Sequence, residues 1–133
     1  MLKENILDSR FTGKSIKMKV LGYSDYIEGV VDEVSKYEVG IRAREGAIVV
    51  FRHAILLIEV QAPDLHGYRQ EELEDTVLTT DFIGSDVEIN LINGEKISGK
   101  LMKITKYEIG LVTSEGKAFI IPKSSISIVR IKE

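Results

Sequence analysis

The sequence has no cysteine and no tryptophan, and only two prolines and two histidines, His53 and His66. Without cysteine no disulfide braces the fold, and a reducing compartment fits. With two histidines and no thiol, no His/Cys metal cluster is available. Nor is there a His- or Cys-based nucleophile system, a G-x-x-x-x-G-K-[ST] phosphate loop or metal-ligand spacing. The expectation is therefore a protein that is not an enzyme and uses no cofactor. The apolar run Ala54 to Ile58 is far too short to span a bilayer. No apolar secretory stretch opens the chain. The expected setting is cytoplasmic, with no membrane partner. A net charge of −3 speaks against a general nucleic-acid coat, although a local basic surface remains compatible with it.

What the chain does have is a repeat. Lys36-Tyr37-Glu38-Val39-Gly40-Ile41 returns as Lys106-Tyr107-Glu108-Ile109-Gly110-Leu111. Phe11-Thr12-Gly13 pairs with Phe82-Ile83-Gly84, Gly29 with Gly99, and Ala47-Ile48-Val49-Val50 with Ala118-Phe119-Ile120-Ile121. Self-similarity of this kind fixes the architecture before any local pattern does. The expected units are residues 1–62 and 70–133, joined by a linker at 63–69 that carries Pro63 and Gly67. Each unit sits near the lower size limit for an independent core. With no disulfide or metal, association between halves or chains is the remaining source of stability.

The second copy shows the plan most clearly. Acidic Glu71-Glu72, then Leu73, Val77 and Leu78, suggest a short helix ending near Phe82. Asp86 to Leu91 alternates as a half-buried strand does. Asn93-Gly94 is a two-residue hairpin signal. Lys96 to Ile104 follows, with Gly99 marking a bend. Tyr107 to Val112, Ala118 to Ile121 and Ile126 to Ile131 complete five strands, and Pro122 ends the fourth. The first copy repeats this with a weaker helix over Leu2 to Ser9. Its strands are expected around Ile16 to Val20, Ile27 to Val34, Tyr37 to Arg42, Ile48 to Phe51 and Ile55 to Val60. The expected fold is mainly β: two tandem small barrels, each a short N-terminal helix plus five strongly bent antiparallel strands.

This order of elements resembles the Sm/LSm family, most closely its Hfq-like branch. Hfq-like chains carry a Lys-His-Ala-Ile block between the last two strands, and Arg52-His53-Ala54-Ile55 nearly reproduces it. Lys123-Ser124-Ser125-Ile126 occupies the same place in the second copy. Leu91 to Gly99 resembles the Hfq hairpin and bent strand. The resemblance covers most of both halves. It departs at Ser35 and Thr105, where the family usually has Asp, and at Ser124, which replaces His.

The resemblance implies units that close into rings by pairing the fourth strand of one with the fifth of the next. A two-unit chain must then contribute an even number of units. Three chains would make a homotrimeric, pseudo-hexameric ring, four an eight-unit one, and seven units are excluded. It also implies a single-stranded, uridine-rich RNA partner at the pore and a role as RNA chaperone or scaffold. Bases would stack on Tyr37 and Tyr107, with Lys36 and Lys106 beside them. Arg52 and His53 would serve the first copy, and Lys123 and Ser124 the second. Each of these residues also has a plainer reading: barrel packing for the tyrosines, solvated surface for the lysines, a structural hydrogen bond for His53. Glu38 and Glu108 recur either as echoes of the duplication or as groups facing neighbours across the ring. Two other functions remain open: a structural or protein-interaction ring that has lost RNA binding, and a DNA-associated barrel.

Overall fold

The computed structural model describes residues 2–68 and 72–132. Among these residues ten strands form: β1 (Ser15–Val20), β2 (Ile27–Val34), β3 (Glu38–Ala43), β4 (Gly46–Phe51), β5 (Ile55–Glu59), β6 (Asp86–Leu91), β7 (Lys96–Ile104), β8 (Glu108–Val112), β9 (Ala118–Pro122) and β10 (Ile126–Ile131). All pair antiparallel in one sheet of order β5-β1-β2-β3-β4-β10-β6-β7-β8-β9. The order is the same five-strand run twice, the fifth strand always beside the first.

The mainly β expectation holds, but two finer parts do not. Neither half closes into a barrel of its own: β4 pairs with β10 of the other copy, joining the two runs into one sheet. Among the described residues the expected N-terminal helices are also absent. Leu2 to Asp8 is irregular, and Ser9–Phe11 is a single 3-10 turn capped by Asp8. In the second copy, 72–79 is irregular and Thr80–Phe82 is the matching turn, capped by Thr79. Glu71, where that helix was expected to start, lies outside the described residues, as do Arg69 and Gln70 of the expected linker and unit boundary. The apolar spacing has another cause: Leu73 packs on the first core, and Val77 and Leu78 on the second. No described helix is long and apolar enough to cross a membrane.

Two cores flank the β4–β10 seam, and both draw on both copies. Ile48 and Val50 of β4 enter the first core and Val49 and Phe51 the second. Ile128 of β10 returns to the first core, while Ile126 and Val129 serve the second. The alternation of side chains along a strand lets one seam feed two cores.

The bend in the second strand of each copy depends on glycine. A Cβ on Gly99 would lie 2.5 Å from the Val112 carbonyl oxygen, and one on Gly29 2.6 Å from that of Arg42. The register slips just beyond, between Val31 and Glu33 and between Leu101 and Lys103, which tightens the curve. Gly99→Ala forces backbone apart rather than filling space, so a cost of about 1–3 kcal/mol is expected. Urea unfolding should show a lowered midpoint for this variant and an unchanged one for the exposed Ser98→Ala control.

Candidate nucleic-acid interface

The Lys-Tyr-Glu block of each copy sits in the tight turn that joins the second and third strands. In the first copy the Ser35 hydroxyl donates to the Glu38 carbonyl (2.7 Å) and accepts from the Glu38 N–H (2.9 Å). Thr105 makes the same pair with Glu108 at 3.2 and 3.1 Å. Ser35 and Thr105 thus brace the turn that presents each tyrosine. Both rings stand in solvent: Tyr37 is 61% exposed and Tyr107 70%.

Backbone bonds bring the other expected residues to these turns. The Arg52 N–H donates to the Tyr37 carbonyl (2.9 Å), and that of Lys123 to the Tyr107 carbonyl (2.8 Å). Each copy therefore gathers its tyrosine, its lysine and its basic residue from the fourth-to-fifth-strand turn. The side chains diverge from there. Lys106 extends over the Tyr107 ring, 5.3 Å from its centroid, a cation–π contact. Lys36 instead faces Asp75 at 3.6 Å. The Arg52 guanidinium turns inward, donating to the carbonyls of Ser35 (3.0 Å) and Leu7 (2.8 Å) and to Asn5 Oδ1 (3.4 Å). It anchors the N-terminal segment, and burial lowers its pKa from the usual value. His53 Nε2 lies 2.8 Å from the Ile126 carbonyl oxygen; because a carbonyl only accepts, this nitrogen carries the proton. His53 thus bridges the two copies. Ser124 is exposed.

Glu38 is the residue whose role composition and pattern leave undecided. It is fully buried at the seam. Its Oε1 accepts from the backbone N–H groups of Val77 (2.9 Å) and Leu78 (2.8 Å), while Oε2 has no hydrogen-bond partner among the described residues. The same second-copy segment adds backbone bonds to the turn, from the Lys36 N–H to Glu74 (2.8 Å) and from the Tyr37 N–H to Asp75 (3.1 Å). Glu38 is therefore the acceptor that locks the leader of one copy onto the other. Burial pushes its carboxyl above the ordinary 4.5, opposed by the Leu78 and Val77 N–H groups and by nearby Lys123.

Two expected results follow from this arrangement. Glu38→Ala strands two buried N–H donors, each costing about 1–3 kcal/mol, so a loss of about 2–5 kcal/mol is expected. Glu38→Gln keeps an acceptor for both and should lie within about 1 kcal/mol of the wild type at neutral pH. A raised folded-state pKa favours the protonated form, so this group's stabilisation is present below the ordinary carboxylate range. It is lost as pH rises through the raised value. Denaturant titrations across pH should show that decline in the wild type, and Glu38→Gln should remove it.

Among the described residues, no group of three or more His, Cys, Asp or Glu side chains could hold a metal ion. No known family model matches the chain, and no curated protein does.

Proposed function

We propose that the chain is a tandem Sm-like protein of Hfq-like type, three copies of which close into a pseudo-hexameric ring that binds single-stranded, uridine-rich RNA. The two five-strand runs then correspond to two Sm-like units, 1–62 and 70–133. The observation that carries this reading is the β4–β10 seam together with what lies at the two ends of the sheet. Within the chain, Val49 and Ile128 at the seam are 3% and 0% exposed. Their repeat counterparts at the free edges, Ile120 of β9 and Leu57 of β5, are 75% and 48% exposed. Each free edge is thus one half of the seam without its complement. Open apolar edges pair with further strands unless something covers them, and a second copy supplies the matching edge. Repeating the internal register (Val50 with Ile128, Val49 with Val129) would set Ile121 against Leu57 and Ile120 against Ile58.

The RNA half of the proposal rests on two exposed tyrosines per chain, each in a braced turn with a lysine at its side. Aromatic platforms beside cations suit unpaired bases, and stacking is sequence-tolerant. The ring would act as an RNA chaperone or scaffold in the cytoplasm. Titration of labelled oligo-uridine at several salt concentrations tests it. Saturable binding that weakens as salt rises is expected, with duplex DNA competing poorly. Preference for the duplex would point to a DNA-associated protein instead. A second reading, a ring that serves protein partners, draws on Glu74 and Asp75, which place negative charge beside Tyr37. Recovery of protein partners without any RNA would favour it.

A further inference from the structure

The leader that covers Glu38 has a counterpart with nothing to cover. Counting from the paired Phe11 and Phe82, Ile6 and Leu7 stand where Val77 and Leu78 stand in the second copy, and Glu4 where Asp75 does. The equivalence is structural as well. Leu7 is buried in the first core as Leu78 is in the second, and each precedes a capped 3-10 turn. On the other side of the match, Glu108 repeats Glu38. Glu38 is 0% exposed, whereas Glu108 is exposed, and its carboxylate meets no partner among the described residues.

Given the ring reading, on which this step rests, we infer that Glu108 is the receptor for the N-terminal segment of a second copy. Its carboxylate accepts the backbone N–H groups of the neighbour's Ile6 and Leu7. The donors are in place. Arg52 holds the Leu7 carbonyl (2.8 Å) and Asn5 Oδ1 (3.4 Å), while the N–H groups of Ile6 and Leu7 have no hydrogen bond among the described residues. The Leu7 side chain is held in the first core, and an N–H that assembly would bury needs an acceptor. A carboxylate facing two unpaired N–H groups is the complement already seen inside the chain. The two kinds of junction would differ in charge. Glu74 and Asp75 flank Tyr37 inside the chain, and the neighbour's Lys3 and Glu4 would flank Tyr107 between chains. Alternate base platforms around the pore are therefore unequal, the Tyr107 platform being the less acidic.

The absence of cysteine allows a direct test. Lys36 and Asp75 form an ion pair at the internal junction, so Lys36→Cys with Asp75→Cys should cross-link within one chain under a short bifunctional maleimide. Lys106→Cys with Glu4→Cys is the corresponding pair between chains and should give covalent dimers and trimers. Glu108→Ala should weaken assembly at least tenfold, while Glu108→Gln, which retains an acceptor, should restore most of it. If the wild type assembles, the internal pair cross-links and the external pair does not, the proposed receptor is wrong and the ring stands. If Glu108→Ala assembles as well as the wild type, the receptor is equally wrong. If the wild type remains monomeric, the ring reading fails and takes this inference with it.

Discussion

Ile120→Asp is expected to leave the chain folded and to stop it assembling. In the single chain Ile120 is 75% exposed, so a carboxylate there meets water and costs the monomer little. In a ring the same position becomes the equivalent of Val49, which is 3% exposed and lodged in the core of the next unit. The substitution removes about 1.5–3 kcal/mol of apolar burial at each junction. It also places a charge in an apolar seam, which adds a desolvation penalty. A loss of at least about 100-fold in assembly is expected, from about 3 kcal/mol or more. Light scattering should show monomer at concentrations where the wild type is expected to form a ring, with a folded circular dichroism spectrum and a cooperative urea transition retained. Val49→Asp is the contrasting variant. It places the same charge at the internal seam and should unfold the chain rather than disperse it. Dispersal by Val49→Asp with the fold intact would mean that the β4–β10 seam does not hold the chain together.

Replacing Tyr37 and Tyr107 together by alanine is expected to produce the largest loss of RNA affinity. Stacking contributes about 1–3 kcal/mol per base, and each chain would present two platforms. With additivity across separated sites, the loss is about 2–6 kcal/mol per chain, or at least about 30-fold. Stability should change little, because both rings stand largely in solvent. Tyr26→Ala is the informative control. Tyr26 is also exposed (45%), and Lys17 lies 4.5 Å from its ring centroid. It precedes β2, however, whereas Tyr37 follows β2's far end. Oligo-uridine affinity should survive Tyr26→Ala. The reverse pattern would move the binding surface to the other end of the strands. The two single variants should be unequal, with Tyr107→Ala costing more, since Lys106 leans over Tyr107 while Lys36 is engaged by Asp75.

The strands were the legible part of the sequence, because their signals are local. Alternation marks Asp86 to Leu91, and glycine marks the bends at Gly29 and Gly99, where a side chain has no room. Ile126–Ile131 and Ile27–Val34 have the limits their residue patterns suggest. The leaders misled because apolar spacing records burial, not conformation. Leu73, Val77 and Leu78 reach two different cores from an irregular segment, whose N–H groups are met by a glutamate about 40 residues away. A periodicity argument has no access to such a partner. The repeat announces two similar units, and the resemblance implies that the fourth strand of one pairs with the fifth of the next, as β4 does with β10. Neither says whether such a contact forms within one chain or between chains. That choice depends on which edge lies within reach once both halves have folded. At the interface, it is the resemblance, not residue type or spacing, that implies an RNA-facing Arg52 and His53. Arg52 proved to spend its donors on the chain's own carbonyls, a commitment visible only once Asn5 and Leu7 are placed beside it.

The molar mass in solution over a wide range of protein concentration tests the central claim most directly. A ring of three chains predicts three times the 14.9 kDa chain mass, constant once formed, because closure leaves no edge for further growth. A mass that stays at one chain, or one that climbs without limit as concentration rises, would contradict it.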